Sequence, residues 1–133
     1  MRDFVLVAIG GALGAVSRFA VTLLATRLFG KGFPWGTLAV NVAGCFAIGV
    51  VLRIVLRLES PGEELRPQIT LWQQGVAVGF LGGLTTFSTF SADTANAINS
   101  GRYGVAALNV VANLALCLAA VFAGMAVVPV SRT

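Results

Sequence analysis

Charge is nearly absent from four long stretches of this 133-residue sequence. Residues 4–29, 35–52, 69–92 and 103–130 are apolar runs, interrupted by charge only at Arg18 and Arg27. About 20 apolar residues in a helix cross the hydrocarbon of a bilayer, and each run is close to that length or beyond it. Only short polar pieces separate them: "GKGFP", "RIVLRLESPGEELRPQ" and "DTANAINSGR". The sequence therefore predicts an all-α membrane protein, a single integral domain over 1–133 with spans near 4–29, 35–57, 69–98 and 103–128. The opening "MRDFVLVAIGGALGA" has the basic start and small-residue end of a secretory signal. Its apolar run continues past Ala15 to Phe29, longer than a signal core, so it reads as a span.

Composition narrows the function classes. Charged residues are 11% of the chain, against about 25% in soluble domains. The net charge of +4 comes from basic residues scattered singly, without the stripe that nucleic-acid binding needs. Histidine is absent, no CxxC occurs, and no span holds a pair of carboxylates, so most zinc, haem and acid–base chemistries are excluded and an enzyme is not expected. Cys45 and Cys117 both fall inside spans and read as small packing residues rather than a disulfide or a metal site.

Four spans put both termini on one side. Arg2, Arg53, Arg57, Arg66 and Arg132 collect there, against Arg27, Lys31 and Arg102 on the other, with Arg18 leaning toward the smaller group. Positive loops favour the cytoplasm, and so small a bias fits insertion in both directions as well as ordinary scatter in a short-looped protein. Four helices barely enclose a polar path, which argues for a second copy. Gly10/Gly14 and Gly75/Gly79, each four apart, mark close helix contact, either within one subunit or at a seam between two.

The polar residues inside the spans carry the chemistry. Asn41 lies mid-span; Asn109, Asn113 and Cys117 are spaced by four and share a helix face. The third span adds Thr85, Thr86, Ser88 and Thr89. None of these ionises at neutral pH, so a proton relay lacks its titrating group; what they supply is neutral hydrogen-bond donors. A lone amide in a membrane usually only ties helices, for about 0.6 kcal/mol. A stripe plus a hydroxyl-rich segment favours a pathway, where a site must be strong enough to admit an ion and weak enough to release it. Phe87 and Phe90, three apart, share a face. On composition they pack or face lipid, yet the positive edge of a phenyl ring suits an anion. Within "GGLTTFSTF", residues 82–90, the pair Gly82-Gly83 makes a helix break cheap. Such a break is tolerated in lipid only where freed backbone groups face protein, water or an ion. The pair also suits an unbroken helix packed tightly.

"GGALGAVSRF", "FPWGTLAVNVAGCFAIG" and "GFLGGLTTFSTFSADT" together resemble the Fluc (CrcB-type) fluoride channels, and the likeness extends through nearly the whole chain. The resemblance implies a dual-topology, antiparallel homodimer of four-helix subunits in the bacterial inner membrane, with the third helix broken at its middle. It implies passive, selective export of F⁻, and a structural Na⁺ at the dimer centre held by backbone carbonyls at Gly82 and Thr85. Fluoride pores would be lined by Phe87 and Phe90, with Asn41, Thr86, Ser88 and Thr89 as donors and Arg18 matching the family's first-span arginine. The fourth-span polar track falls on Asn109, Asn113 and Cys117, where the family carries tyrosine or serine, so this chain departs there. Asp93, just beyond the motif, is either a vestibule residue or a helix-end charge. The alternative is a small dual-topology, proton-coupled multidrug exporter. Such export needs an acid embedded in the membrane, and Asp3 and Asp93 lie at span ends.

Overall fold

The computed structural model describes residues 1–58 and 71–129, and in them the chain is entirely helical apart from its turns. The elements are α1 (Arg2–Phe29), α2 (Trp35–Leu58), α3 (Leu71–Leu81, wound wide in π-type geometry), α4 (Gly82–Leu84), α5 (Phe87–Asn99) and α6 (Tyr103–Val127). Among the described residues, four helices are long and apolar enough to cross a membrane: Arg2–Phe29, Trp35–Leu56, Gln73–Asn99 and Tyr103–Val127. The third is assembled from α3, α4 and α5 and is interrupted in its middle. Residues 69 and 70, at the expected start of that span, and Arg66 and Arg132 from the charge count lie outside the described residues.

Lipid is the solvent this surface fits. Within its most apolar stretch α1 buries only 6% of its residues, and α6 11%. Phe4, Phe19, Leu118 and Phe122 stand exposed on those helices, an apolar coat far larger than a water-soluble monomer carries. At the α1–α2 turn, Gly30 adopts a left-handed φ of 74°. Trp35 there packs against Phe33, with ring centroids 4.7 Å apart, and against Phe29, at 6.1 Å. Such aromatic rings are favoured at membrane–water interfaces.

Two seams hold the helices together. Along the first, α1 meets α3 and α4 backbone to backbone. A methyl group on Gly10 would strike the Gly75 carbonyl and come within 3.1 Å of the Gly79 Cα, and one on Gly14 would strike the Phe80 carbonyl. The glycine spacing therefore serves packing within one subunit, the first of the two alternatives the sequence left open. Along the second seam, α2 and α6 run side by side with matched residues. Asn41 bonds Asn113, and two turns on, Gly49 lies against the Val121 carbonyl. Val51, Val55 and Leu81 form a small apolar core, with Ala47, Ile48, Val76 and Phe80 packed around it.

The interruption does not fall on the glycine pair. Gly82 and Gly83 stay helical, and the extended residues are Thr85 (φ −78°, ψ 155°) and Thr86 (φ −153°, ψ 114°). Gly83 is used for contact: a Cβ there would lie 2.5 Å from the Gly11 carbonyl oxygen. The break moves to the threonines because a partner for their backbone stands opposite them, on α2.

Candidate functional site

That partner is Asn41. Its Oδ1 accepts the Thr86 backbone N–H at 2.9 Å, and its Nδ2 donates to the Thr86 carbonyl at 3.3 Å. One side-chain amide thus closes a two-point ring with the main chain and replaces the helical bonds that the break removes. In a continuous helix the Thr86 N–H would go to the Gly82 carbonyl. Its diversion to Asn41 leaves that carbonyl without its helical donor, on a residue exposed at the break. Thr85 still completes the preceding turn: its N–H donates to the Leu81 carbonyl at 3.0 Å, and its hydroxyl to the same oxygen at 2.9 Å.

Beyond the break the chain restarts as a capped helix. Thr86 is the N-cap of α5, its Oγ1 accepting the Thr89 N–H at 3.1 Å, the side-chain substitute for a missing intrahelical acceptor. The same hydroxyl lies 3.0 Å from Thr89 Oγ1 and 3.2 Å from Ser88 Oγ. The hydroxyls of the motif therefore gather at the first turn of α5, where unpaired N–H groups and the helix dipole favour negative charge.

The amides form a continuous chain across three helices. Asn41 Nδ2 donates to Asn113 Oδ1 at 2.9 Å, and Asn113 Nδ2 donates to the side-chain oxygen and the carbonyl of Asn109, each at 3.0 Å. Asn109 Nδ2 donates to Thr94 Oγ1 at 2.9 Å, and Thr94 donates to the Phe90 carbonyl at 2.8 Å. Asn109 is 1% exposed and Asn113 5%. Buried amides without partners would be costly, and here they have them. Both N–H groups of Asn41 already have protein acceptors, so an anion at Asn41 would take one over.

A groove of about 430 Å³ opens beside this network, lined by Asn41, Thr85, Thr86, Phe87, Phe90 and Asn113 among its residues. Gly82, Cys45 and Cys117 border it as well. The Phe87 and Phe90 rings lie 5.4 Å apart at a tilt of 49°, within the separation at which phenyl pairs attract. They are unequal: Phe90 is 8% exposed and Phe87 77%, so among the described residues Phe87 is largely uncovered apart from its contact with Phe90.

A second cavity, about 380 Å³, lies at the end of the bundle between the α1–α2 turn, α5 and the start of α6. Thr89 and Asp93 line it, with Lys31 and Arg102 at its rim. The buried Thr37 donates to Asp93 Oδ2 at 2.7 Å. Arg102 Nη1 donates to the Gly32 carbonyl at 3.0 Å, tying the two turns together. Thr89 thus stands between the hydroxyl cluster and this cavity.

Of the expected site residues, Asn41, Phe87, Phe90, Thr86, Asn113, Gly82 and Thr85 come together at the groove, and Thr89 and Asp93 at the end cavity. Asn109, Ser88 and Arg18 line neither; Asn109 is sealed in the amide chain and Arg18 is half-buried on α1. Thr37 and Thr94 join the polar system without having been singled out from the sequence. Their signal was spacing: Thr37 is four residues before Asn41, and Thr94 four after Phe90, on the same helix faces.

Comparison with known proteins agrees with this picture. Residues 5–125 match the family described as CrcB-like protein, Camphor Resistance (CrcB). A protein of Rhizobium etli (strain ATCC 51251) named "Fluoride-specific ion channel FluC" is 46% identical, over 96% of each chain. Proteins of the same name from Geobacter sulfurreducens and Shewanella amazonensis are 43% and 45% identical, covering 94% and 93% of this chain and 95% and 94% of their own. With a match along almost its whole length, this four-span chain belongs to the CrcB family.

Proposed function

We propose that this chain is the subunit of a fluoride-selective passive ion channel that works as an antiparallel homodimer in the bacterial inner membrane. The observation that carries it is the interrupted third span. Residues 82–90 place a freed carbonyl, a capped helix start and two phenyl rings beside one groove, in a chain whose relatives are named fluoride-specific channels.

The single chain also supports the dimer. Gly82 and Phe87 both line the groove and both are exposed. A second copy packed antiparallel over that face would cover the ring and bring two breaks together. The carbonyls of Gly82 and Thr85 from both copies would then hold a Na⁺. The fit is chemical: neutral oxygen donors suit a hard cation, and the Gly82 carbonyl has lost its helical partner. Bound there, the ion would neutralise converging carbonyl dipoles and fix the two subunits to each other.

Fluoride enters acidified cells as neutral HF and dissociates in the less acidic cytoplasm. A passive path then lets F⁻ leave down its electrochemical gradient, with no nucleotide consumed. In this chain Lys31 and Arg102 attract the anion toward an end cavity, and Thr89 and Ser88 offer hydroxyls at the start of α5. The ring edges of Phe87 and Phe90 provide positive character without fixed charge. Weak, successive, neutral contacts allow exit as well as entry. Selectivity against chloride would come from a narrow, donor-lined path, because F⁻ is small and strongly hydrated.

Expression of this chain in a fluoride-sensitive bacterial strain tests the proposal in cells: growth in fluoride should be restored, and unchanged sensitivity with protein present in the membrane would overturn it. Orientation is tested by one loop cysteine in a background lacking Cys45 and Cys117. Labelling from both sides of the membrane is expected of a dual-topology chain, and labelling from one side only would exclude it.

A further inference from the structure

We propose that Cys45 and Cys117 form a dithiol site for a soft, two-coordinate cation of the Hg(II) type, set between α2 and α6 on the wall of the groove. The register of the two helices puts the sulfurs together. Asn41 bonds Asn113, and the backbones of Gly49 and Val121 touch. Cys45 and Cys117 are the residues midway between these two contacts, four after Asn41 and four after Asn113. Both thiols are free, and neither is fully buried. Both line the groove beside Phe87 and Phe90.

Ligand number and charge select the cation. Among the described residues no group of three or more His, Cys, Asp or Glu side chains could hold a metal, so a tetrahedral zinc site, which needs four ligands, cannot be built there. Two sulfurs suit a linear, soft cation. With Hg(II), each thiol gives up its proton, two S–Hg bonds form, two protons go to water, and no electron changes hands. The product is neutral, which matters in an apolar groove where a net charge is costly to bury. A monovalent soft cation between two thiolates would leave one negative charge.

The experiment is a titration of the purified protein in detergent with HgCl₂ against a competing monothiol. It is followed by near-ultraviolet sulfur-to-mercury absorption, by the intact mass of the chain, and by maleimide labelling of remaining thiols. The expected result is one mercury per chain with both cysteines protected, and affinity lower on the order of a hundredfold in C45S and C117S, as loss of the second attachment demands. If serine disturbs folding, C45A and C117A replace those variants, and the mass and labelling of the unsubstituted chain decide alone. One cysteine left reactive at saturation, single-cysteine variants of undiminished affinity, or mercury joining two chains would each overturn the proposal.

Discussion

The two seams of this molecule perform one task by opposite means. Between α1 and α3–α4, glycines let backbones touch. Between α2, α5 and α6, amides and hydroxyls hold the helices in a chain of hydrogen bonds from Thr86 to Thr94. In lipid, association rests on close packing and on interhelical hydrogen bonds, and this chain uses each where the other would be out of place. The polar seam lies beside the broken helix, where freed backbone needs partners. The apolar seam lies behind it and holds the break against a rigid wall.

The sharpest way to break the comparison uses two adjacent residues. A Cβ on Gly83 collides with the backbone of α1, whereas one on Gly82 meets nothing nearer than the Ala77 carbonyl at 3.9 Å. Gly83→Leu should cost at least about 1–3 kcal/mol, as overpacking does, and lower the folded yield seen by gel filtration; Gly82→Ala should leave the fold intact. Equal tolerance would mean that the apolar seam is looser than its geometry states.

Next in size is Asn41→Ala. It strips Thr86 of both backbone partners and Asn113 of its donor, at about 1–3 kcal/mol for buried polar groups left unpaired. A lower melting temperature together with reduced fluoride flux is expected. Retained stability would show that water or a second copy satisfies the break. The phenylalanines separate function from folding. Phe87→Ile should cut flux with little loss of subunit stability, because the ring is exposed. Phe90→Ile should cut flux and cost about 1 kcal/mol of burial. Unchanged flux in both would remove the rings from the mechanism. The smallest effect on flux is expected for Asn109→Ala: it removes the bonds to Thr94 and Asn113, at about 0.6 kcal/mol for each membrane hydrogen bond, with flux nearly preserved because the residue is sealed from the groove. A flux loss as deep as that of the Phe87 variant would put Asn109 on the pathway.

Much of this was legible in the sequence, for a physical reason. Apolar run length reports a span directly, so the four helices follow from charge-free stretches; the "GGLTTFSTF" segment left a break and a tightly packed helix both open, and the broken third helix came from the resemblance. The resemblance carried by "GFLGGLTTFSTFSADT" is what the family match bears out. Illegible was the exact place of the break, since Gly82-Gly83 makes a break cheap but Asn41, on another helix, decides where it falls. Helical periodicity puts Asn109, Asn113 and Cys117 on one face, yet says nothing of what stands opposite. The facing partners Asn41, Thr94 and Cys45 come from the register between helices, which no single segment encodes. The same limit hid Thr37, whose partner Asp93 is 56 residues away.

The measurement that tests the central claim most directly is ion efflux from liposomes containing the purified protein. Vesicles loaded with fluoride should lose it rapidly when the membrane potential is released, while vesicles loaded with chloride keep theirs. Equal efflux of the two anions, or none of fluoride, would contradict the account.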